Sequence, residues 1–439
     1  MSNAAALVEK DCDVLVVGGG PSGSTIAALL AERGERVTVV EKDRHPRFHI
    51  GESLLPLNLP LLDRLGVREQ VDKIGMLKYG AEFVSPYHKK RITFDFADAL
   101  RKDHPYAYQI RRSEFDHILL KNAAIKGANV IEGCRVTDVA FPPDGGVHAR
   151  GLDEQGQSRS WHAKFFVDAS GRDTFLANRF KIKHRCNKHN SAAMFGHFTG
   201  ARRPTGRAEG NISIFWFDHG WFWFIPLADG TTSIGAVCWP DYIKSRKGDL
   251  TAFFMETIAS CSELAETLKG ATLVSAVTAT GNYSYQAEKM AGRNYILLGD
   301  AFAFVDPLFS TGVYLAMNSA FLGADVVSAS LHAPNEMPVA VKRFDAIVRH
   351  AISMFSWYIH RTTSPVMRNL LMNPGNPFRV QEAILSMLSG DVFTRSELGI
   401  RLMIFKIIYY ISSLGILGQS IAAWKKHKRD IRITPEEAN

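Results

Sequence analysis

Asp13-Val14-Leu15-Val16-Val17-Gly18-Gly19-Gly20-Pro21-Ser22-Gly23 is the stretch from which the fold can be read. Residues 13–17 form a short, largely apolar run, the pattern of a strand buried on both faces. Glycines in G-x-G-x-x-G spacing follow. Residues 24–33 read as a helix, and Val37-Thr38-Val39-Val40 as a second buried strand ending at Glu41. Strand, glycine turn, helix, strand and acidic residue within about 30 residues make a dinucleotide-binding unit. Gly18 allows the tight turn, Gly20 lets the backbone approach a pyrophosphate, and Gly23 permits close packing of helix on strand. The helix N-terminus, with Ser22 beside it, offers unpaired N–H groups and a positive dipole end to the phosphates. Glu41 is placed to accept hydrogen bonds from the adenosine ribose.

At 439 residues the chain has room for two or three domains, or for one core with large insertions. A net charge of +8 favours acidic partners such as an anionic cofactor, a carrier protein or a membrane surface. No nucleic-acid-binding signature accompanies it, and nucleic acid is not expected as a partner. The five cysteines are scattered and form no C-x-x-C, which reads as reduced thiols in a cytoplasmic protein. His184, Cys186 and His189 fit no standard ligand spacing, so no metal site is expected. The apolar run at the N-terminus is too short for a signal peptide and runs straight into glycines.

From Asn335 onward the pattern is helical. Val339, Val341, Phe344, Ile347, Val348, Ile352 and Phe355 recur at helix spacing, Asn373-Pro374-Gly375-Asn376-Pro377 breaks the run, and further helices are predicted over 380–389 and 397–424. Residues 407–424 carry no charge and precede Lys425-Lys426-His427-Lys428-Arg429. This predicts an amphipathic helix packed on the protein or making peripheral contact with a membrane.

Three further elements carry a family resemblance. A buried strand ends in Gly299-Asp300-Ala301, Arg112-Ser113-Glu114-Phe115-Asp116 has the form R-x-x-F-D, and Phe166-Val167-Asp168-Ala169-Ser170-Gly171 has the form D-x-S-G at a strand end. Together with the glycine turn they resemble, in order, the aromatic hydroxylase-like FAD proteins. The resemblance implies an α/β fold: a Rossmann-like FAD-binding domain with an inserted substrate-domain β-sheet and a C-terminal helical region. The halves of the FAD site would come from about 10–80, 105–180 and 285–330, the substrate sheet from about 81–104 and 185–284, and a helical substrate-channel region from 331–439. Asp300 would bind the ribityl chain and Arg112 would lie near the flavin.

Within that superfamily the chain resembles the flavin-dependent halogenases, on four motifs. Trp221-Phe222-Trp223-Phe224-Ile225-Pro226 matches W-x-W-x-I-P, and as a strand it places Trp221, Trp223 and Ile225 on one face and Phe222 and Phe224 on the other. Gly51-Glu52-Ser53 resembles the G-E-S loop, which implies cofactor contacts for Glu52 and Ser53. Lys78 stands where the family's active lysine lies. Val305-Asp306-Pro307-Leu308-Phe309-Ser310-Thr311-Gly312-Val313 resembles the halide loop, with a helix opening at about Val313. In that family reduced FAD and oxygen oxidise chloride or bromide to hypohalous acid, which the lysine captures and directs to an aromatic ring. The resemblance implies catalytic roles for Lys78 and Ser310, and halide binding by the N–H groups of Thr311 and Gly312, with Gly312 also against the flavin. Trp221 and Trp223 would form a wall between flavin and substrate. Phe309 occupies the slot where tryptophan halogenases typically carry a glutamate. This implies the phenol and pyrrole branch, many of whose members act on substrates tethered to a carrier protein, as in secondary-metabolite biosynthesis. No NAD(P)H-binding unit is evident besides the FAD fingerprint, so a separate flavin reductase is implied. The alternatives on the same scaffold are a single-component FAD aromatic monooxygenase and a membrane-associated isoprenoid reductase-like flavoprotein.

Overall fold

The computed structural model describes residues 7–8, 11–186, 189–281, 284–393 and 398–431. Its first sheet is built on the strand Cys12–Val17, whose residues are all buried. Val37–Val40 pairs parallel on one side, with Asn129–Ile131 beyond it, and Ser158–Asp168 pairs parallel on the other, with Tyr295–Leu297 beyond that. In chain order the spatial sequence is fifth, fourth, first, second, third, the doubly wound arrangement in which ligands bind beyond the carboxyl ends of the strands. The helix Pro21–Glu32 packs between Arg112–Ile125 and Thr311–His332. It begins three residues earlier than the sequence pattern suggests, because Pro21 fits the first helical position, where its missing N–H has no partner to lose.

The second sheet has eight strands and is mostly antiparallel. Ala192–Thr199, Thr232–Cys238, Gly220–Pro226, Ile212–Phe217, Gly80–Ser85 and Lys90–Asp95 lie side by side in that order. This is the expected inserted sheet. Every residue of Gly220–Pro226 is buried. Its faces part as the period-two reading requires: Trp221, Trp223 and Ile225 join the main core, and Phe222 and Phe224 join a second core under helix Leu250–Ala259. Gly235 pairs with Trp223 and leaves room for its indole; a Cβ there would sit 2.1 Å from the ring.

The C-terminal region is helical. Met337–Ile359 buries Phe344, Val348, Ile352 and Phe355, whereas Val339 is 72% exposed. Val380–Leu388 matches its expectation. The single helix expected over 397–424 is instead two, Leu398–Gly415 and Leu417–Asp430, broken where Ile416 leaves helical geometry (φ −124°, ψ 40°). Glu397 lies outside the described residues. The run around Ile416 is uncharged and lacks proline, and the available signal for the break was Gly415 and Gly418 on either side of it.

Candidate active site

The carboxyl ends of the first-sheet strands open into a cleft of about 460 Å³. Gly18 (φ +104°) and Gly23 make the glycine turn tight: a Cβ on Gly18 would lie 2.2 Å from the Ala169 carbonyl oxygen, and one on Gly23 1.9 Å from that of Gly18. Gly20 faces the cleft, with only the Arg47 guanidinium 3.7 Å from a Cβ built there. This is a cradle that a side chain would fill. Gly20 caps the helix without a side-chain hydrogen bond, so the first-turn N–H groups are left for a phosphate. Glu41 is buried; its carboxylate accepts from the backbone N–H of Gly19 (2.6 Å) and of Asp43 (2.9 Å) and borders the cleft. Asp300 lines the far side, where burial pushes its carboxyl up to about 6. Ser22 and Ser53 line it as well. These residues fit FAD: a pyrophosphate cradle, an acceptor at the ribose end and a carboxyl at the ribityl end.

Arg112 also lines the cleft, but its donors are already engaged. Nε and one terminal nitrogen donate to Asp116 at 2.7 and 2.9 Å, and the other terminal nitrogen donates to the Ile50 carbonyl at 2.7 Å. The guanidinium thus ties the loop before Gly51 to the helix Arg112–Ile125.

A second helix N-terminus enters the cleft opposite the first. Asp306 caps a turn over Pro307–Phe309 by accepting from the Leu308 N–H, Ser310 takes a left-handed conformation (φ 57°), and Thr311 opens a 22-residue helix. The helix starts two residues before the expected Val313. Thr311 and Gly312 are its first two residues, where N–H groups lack intrahelical acceptors. Ser310, Thr311 and Gly312 all line the cleft.

Lys78 is 2% exposed, at the end of the strand Met76–Lys78. Its Nζ donates to Ser53 Oγ (3.0 Å) and to the Leu54 carbonyl (3.1 Å) and lies 5.3 Å from the centre of the Phe96 ring. Burial alone holds the amine down to about 7. At neutral pH both forms are therefore populated, a nucleophilic amine and a hydrogen-bonding ammonium. Lys78 does not line the cleft; Ser53 does, and its hydroxyl joins the two.

The tryptophan halogenase family model matches residues 13–104 and 87–363. The chain belongs to this family. A tryptophan 2-halogenase of Chondromyces crocatus is 36% identical over 355 residues, covering 79% of this chain and 67% of its own. A 1H-pyrrole-2-carbonyl-[peptidyl-carrier protein] chlorinase of Pseudomonas fluorescens is 28% identical over 97% of this chain and 98% of its own. The structure of the myxobacterial chondrochloren halogenase CndH superposes with a TM-score of 0.76 at 32% identity, over 80% of this chain and 82% of that one. The chain is accordingly an FAD-dependent halogenase that uses halide, and such enzymes need a flavin reductase.

Not every residue singled out in the sequence sits at the halogenase cleft. Glu52 turns away and accepts from His197 Nε2 at 3.0–3.1 Å, both residues being buried. It braces the G-E-S loop against the second sheet, and its side chain does not line the cleft. Neither Trp221 nor Trp223 lines the cleft. Trp223 packs on Phe195 (6.0 Å between ring centres), Phe195 packs on Phe48 (5.8 Å), and it is Phe48 that borders the cleft. Sequence reading missed Arg47, which lies 3.4 Å from Asp116 and 3.9 Å from Glu41 at the mouth of the Gly20 cradle. The basic run 42–47 directly after Glu41 was the available signal.

Proposed function

We propose that this halogenase chlorinates or brominates a phenolic or pyrrolic ring carried on a carrier protein, and not free tryptophan. The observation that carries the reading is Phe309. The residue before Ser310 packs in an apolar cluster with Phe83, Tyr358, Met387, Leu388 and Phe405 around a void of only about 10 Å³, and no carboxylate lines it. An electron-rich ring needs less assistance at the reacting carbon, so an amine without a partner carboxylate suffices.

In this reading FAD binds through Gly18, Gly20, Ser22, Gly23, Glu41, Ser53, Asp300 and Gly312, and a separate reductase supplies it reduced. When bound, it oxidises halide with oxygen. The N–H groups of Thr311 and Gly312 hold the halide at the helix N-terminus. Ser310 and Ser53 border the path between halide and Lys78, whose amine captures the oxidised halogen and turns it towards the ring. Trp221 and Trp223 act through Phe195 and Phe48, stiffening the wall between flavin and ring. Glu52 supports the loop that carries Ser53. The scattered cysteines, none of them in a C-x-x-C, support a cytoplasmic setting.

The C-terminal helices supply a docking face. Ile400, Met403, Ile407, Tyr410, Leu414, Leu417, Ile421 and Trp424 are 45–69% exposed and alternate at three- and four-residue spacing. The basic run from Lys425 to Arg429 continues from them. An acidic carrier protein complements the basic run beside this apolar face. The family model ends at residue 363, yet the carrier-protein chlorinase matches 97% of the chain. Leu398–Gly415 is also long and apolar enough to cross a membrane by length and composition. Pelleting with anionic vesicles would therefore reassign the face to a membrane surface.

The test is a reaction of the reduced-FAD enzyme with oxygen, bromide and, separately, pyrrolyl-carrier, hydroxyphenyl-carrier, free phenol and free tryptophan, read by mass spectrometry. A brominated carrier-bound ring supports the reading; brominated tryptophan alone overturns it.

A further inference from the structure

Asp306 begins the turn that leads to Ser310 and to the helix Thr311–His332. It is 2% exposed, and both of its oxygens are engaged. Oδ1 accepts from the Leu308 N–H at 3.1 Å. Oδ2 accepts from the Ser191 hydroxyl at 3.0 Å and from His189 Nε2 at 2.8 Å. Those two donors come from the segment leading into the second sheet, more than a hundred positions away in the chain. A carboxylate only accepts, so the imidazole carries its proton on Nε2.

His189 is itself held on several sides. It is 3% exposed, stacks on His360 with ring centres 5.1 Å apart, and meets Trp239 edge-on at 5.8 Å. His427, from the last helix, lies 6.4 Å away. Burial holds His360, the ring stacked on His189, down to about 4. None of His189, Ser191 and Asp306 lines the FAD cleft. Pro307 and Ser310 to Val313, in the same loop, do line it.

A left-handed serine between a short turn and a helix is a conformation the local sequence does not favour, so something in the surroundings must hold it. We propose that His189 and Ser191 are positioning residues of the halogenation reaction: through Asp306 they fix the turn Pro307–Phe309, and so aim the N–H groups of Thr311 and Gly312 at the halide. This rests on the assignment of those two residues as the halide site. Donors fixed before the ion arrives bind it without reorganising, so loosening the clamp weakens halide binding more than flavin binding.

The test compares His189→Ala, His189→Gln, Ser191→Ala and Gly312→Pro in the FAD-loaded enzyme. Bromide affinity is measured by calorimetry, apparent KM for bromide by turnover, FAD affinity by fluorescence and folding by the thermal midpoint. Loss of a hydrogen bond to a charged group should weaken bromide binding about tenfold or more in His189→Ala, and less in Ser191→Ala. FAD affinity should change by less than about twofold, since the sites are separate. Glutamine can donate from its amide to Asp306, so His189→Gln should recover most of the loss; a purely structural histidine would lower the thermal midpoint without this bromide-specific split. Should His189→Ala fail to fold, Ser191→Ala and His189→Gln carry the test. Unchanged bromide affinity in the clamp variants, with Gly312→Pro impaired, overturns the clamp and leaves the halide assignment standing. Unchanged affinity in Gly312→Pro, which lacks the N–H assigned to the halide, removes the halide assignment and the clamp with it.

Discussion

Replacing Lys78 by methionine should stabilise the protein while removing its function. The amine is fully buried and its pKa falls from 10.5 to about 7, with desolvation as the cause. At ~1.4 kcal/mol per unit, holding the charge inside costs ~5 kcal/mol, of which ~4 kcal/mol is felt at pH 7. The hydrogen bonds to Ser53 Oγ and the Leu54 carbonyl offset part of this, ~1–3 kcal/mol. Methionine is close in shape and apolar, so Lys78→Met should gain ~1–3 kcal/mol at pH 7. The pH dependence has a definite sign. The folded pKa lies below the unfolded one, so the unfolded chain binds more protons between pH 7 and 10.5, and wild-type stability from this group rises across that window. The advantage of the variant should therefore be greatest at pH 7 and shrink by pH 9.5. Urea midpoints of both proteins at the two pH values measure it. A variant less stable than wild type by the same amount at both would refute the argument that burial strains this amine.

Gly23→Ala places a Cβ 1.9 Å from the Gly18 carbonyl oxygen and should abolish retention of FAD on gel filtration, with the protein still folded by circular dichroism. Gly235→Ala drives a methyl to 2.1 Å from the Trp223 ring and should cost ~1–3 kcal/mol in urea unfolding. Trp223→Phe removes the indole hydrogen bond to Ser233 and the part of the ring packed over Gly235; it should raise the fraction of flavin turnover that yields no halogenated product, read as oxidised flavin against product. Reversing Lys425, Lys426, Lys428 and Arg429 to glutamate should raise KM for a carrier-bound substrate and leave turnover of the free ring unchanged.

The legible parts of this chain were those fixed by local chemistry. The glycine turn announces itself because Gly18 and Gly23 admit no Cβ, and the strand Gly220–Pro226 because alternate side chains feed two different cores. Thr311 and Gly312 could be placed because a loop opening a helix leaves N–H groups unpaired whatever surrounds it. What escaped sequence reading depends on distant partners. Glu52 finds His197 across 145 positions, and Asp306 finds His189 across 117, with no periodicity connecting either pair. The two tryptophans were correctly assigned to one face, but Phe195 and Phe48 stand between Trp223 and the cleft, a matter of tertiary depth. The break at Ile416 falls between Gly415 and Gly418 in an uncharged run, where hydropathy alone does not distinguish one helix from two.

In the proposed mechanism Lys78 delivers an oxidised halogen formed at the Thr311-Gly312 loop. One measurement addresses it directly: wild type and Lys78→Met, each with reduced FAD, oxygen and bromide, followed at once for flavin reoxidation and for bromination of a carrier-bound pyrrole. Flavin reoxidation at wild-type rate in the variant, with no brominated ring, is the expected result. Bromination at an undiminished rate in Lys78→Met would contradict it.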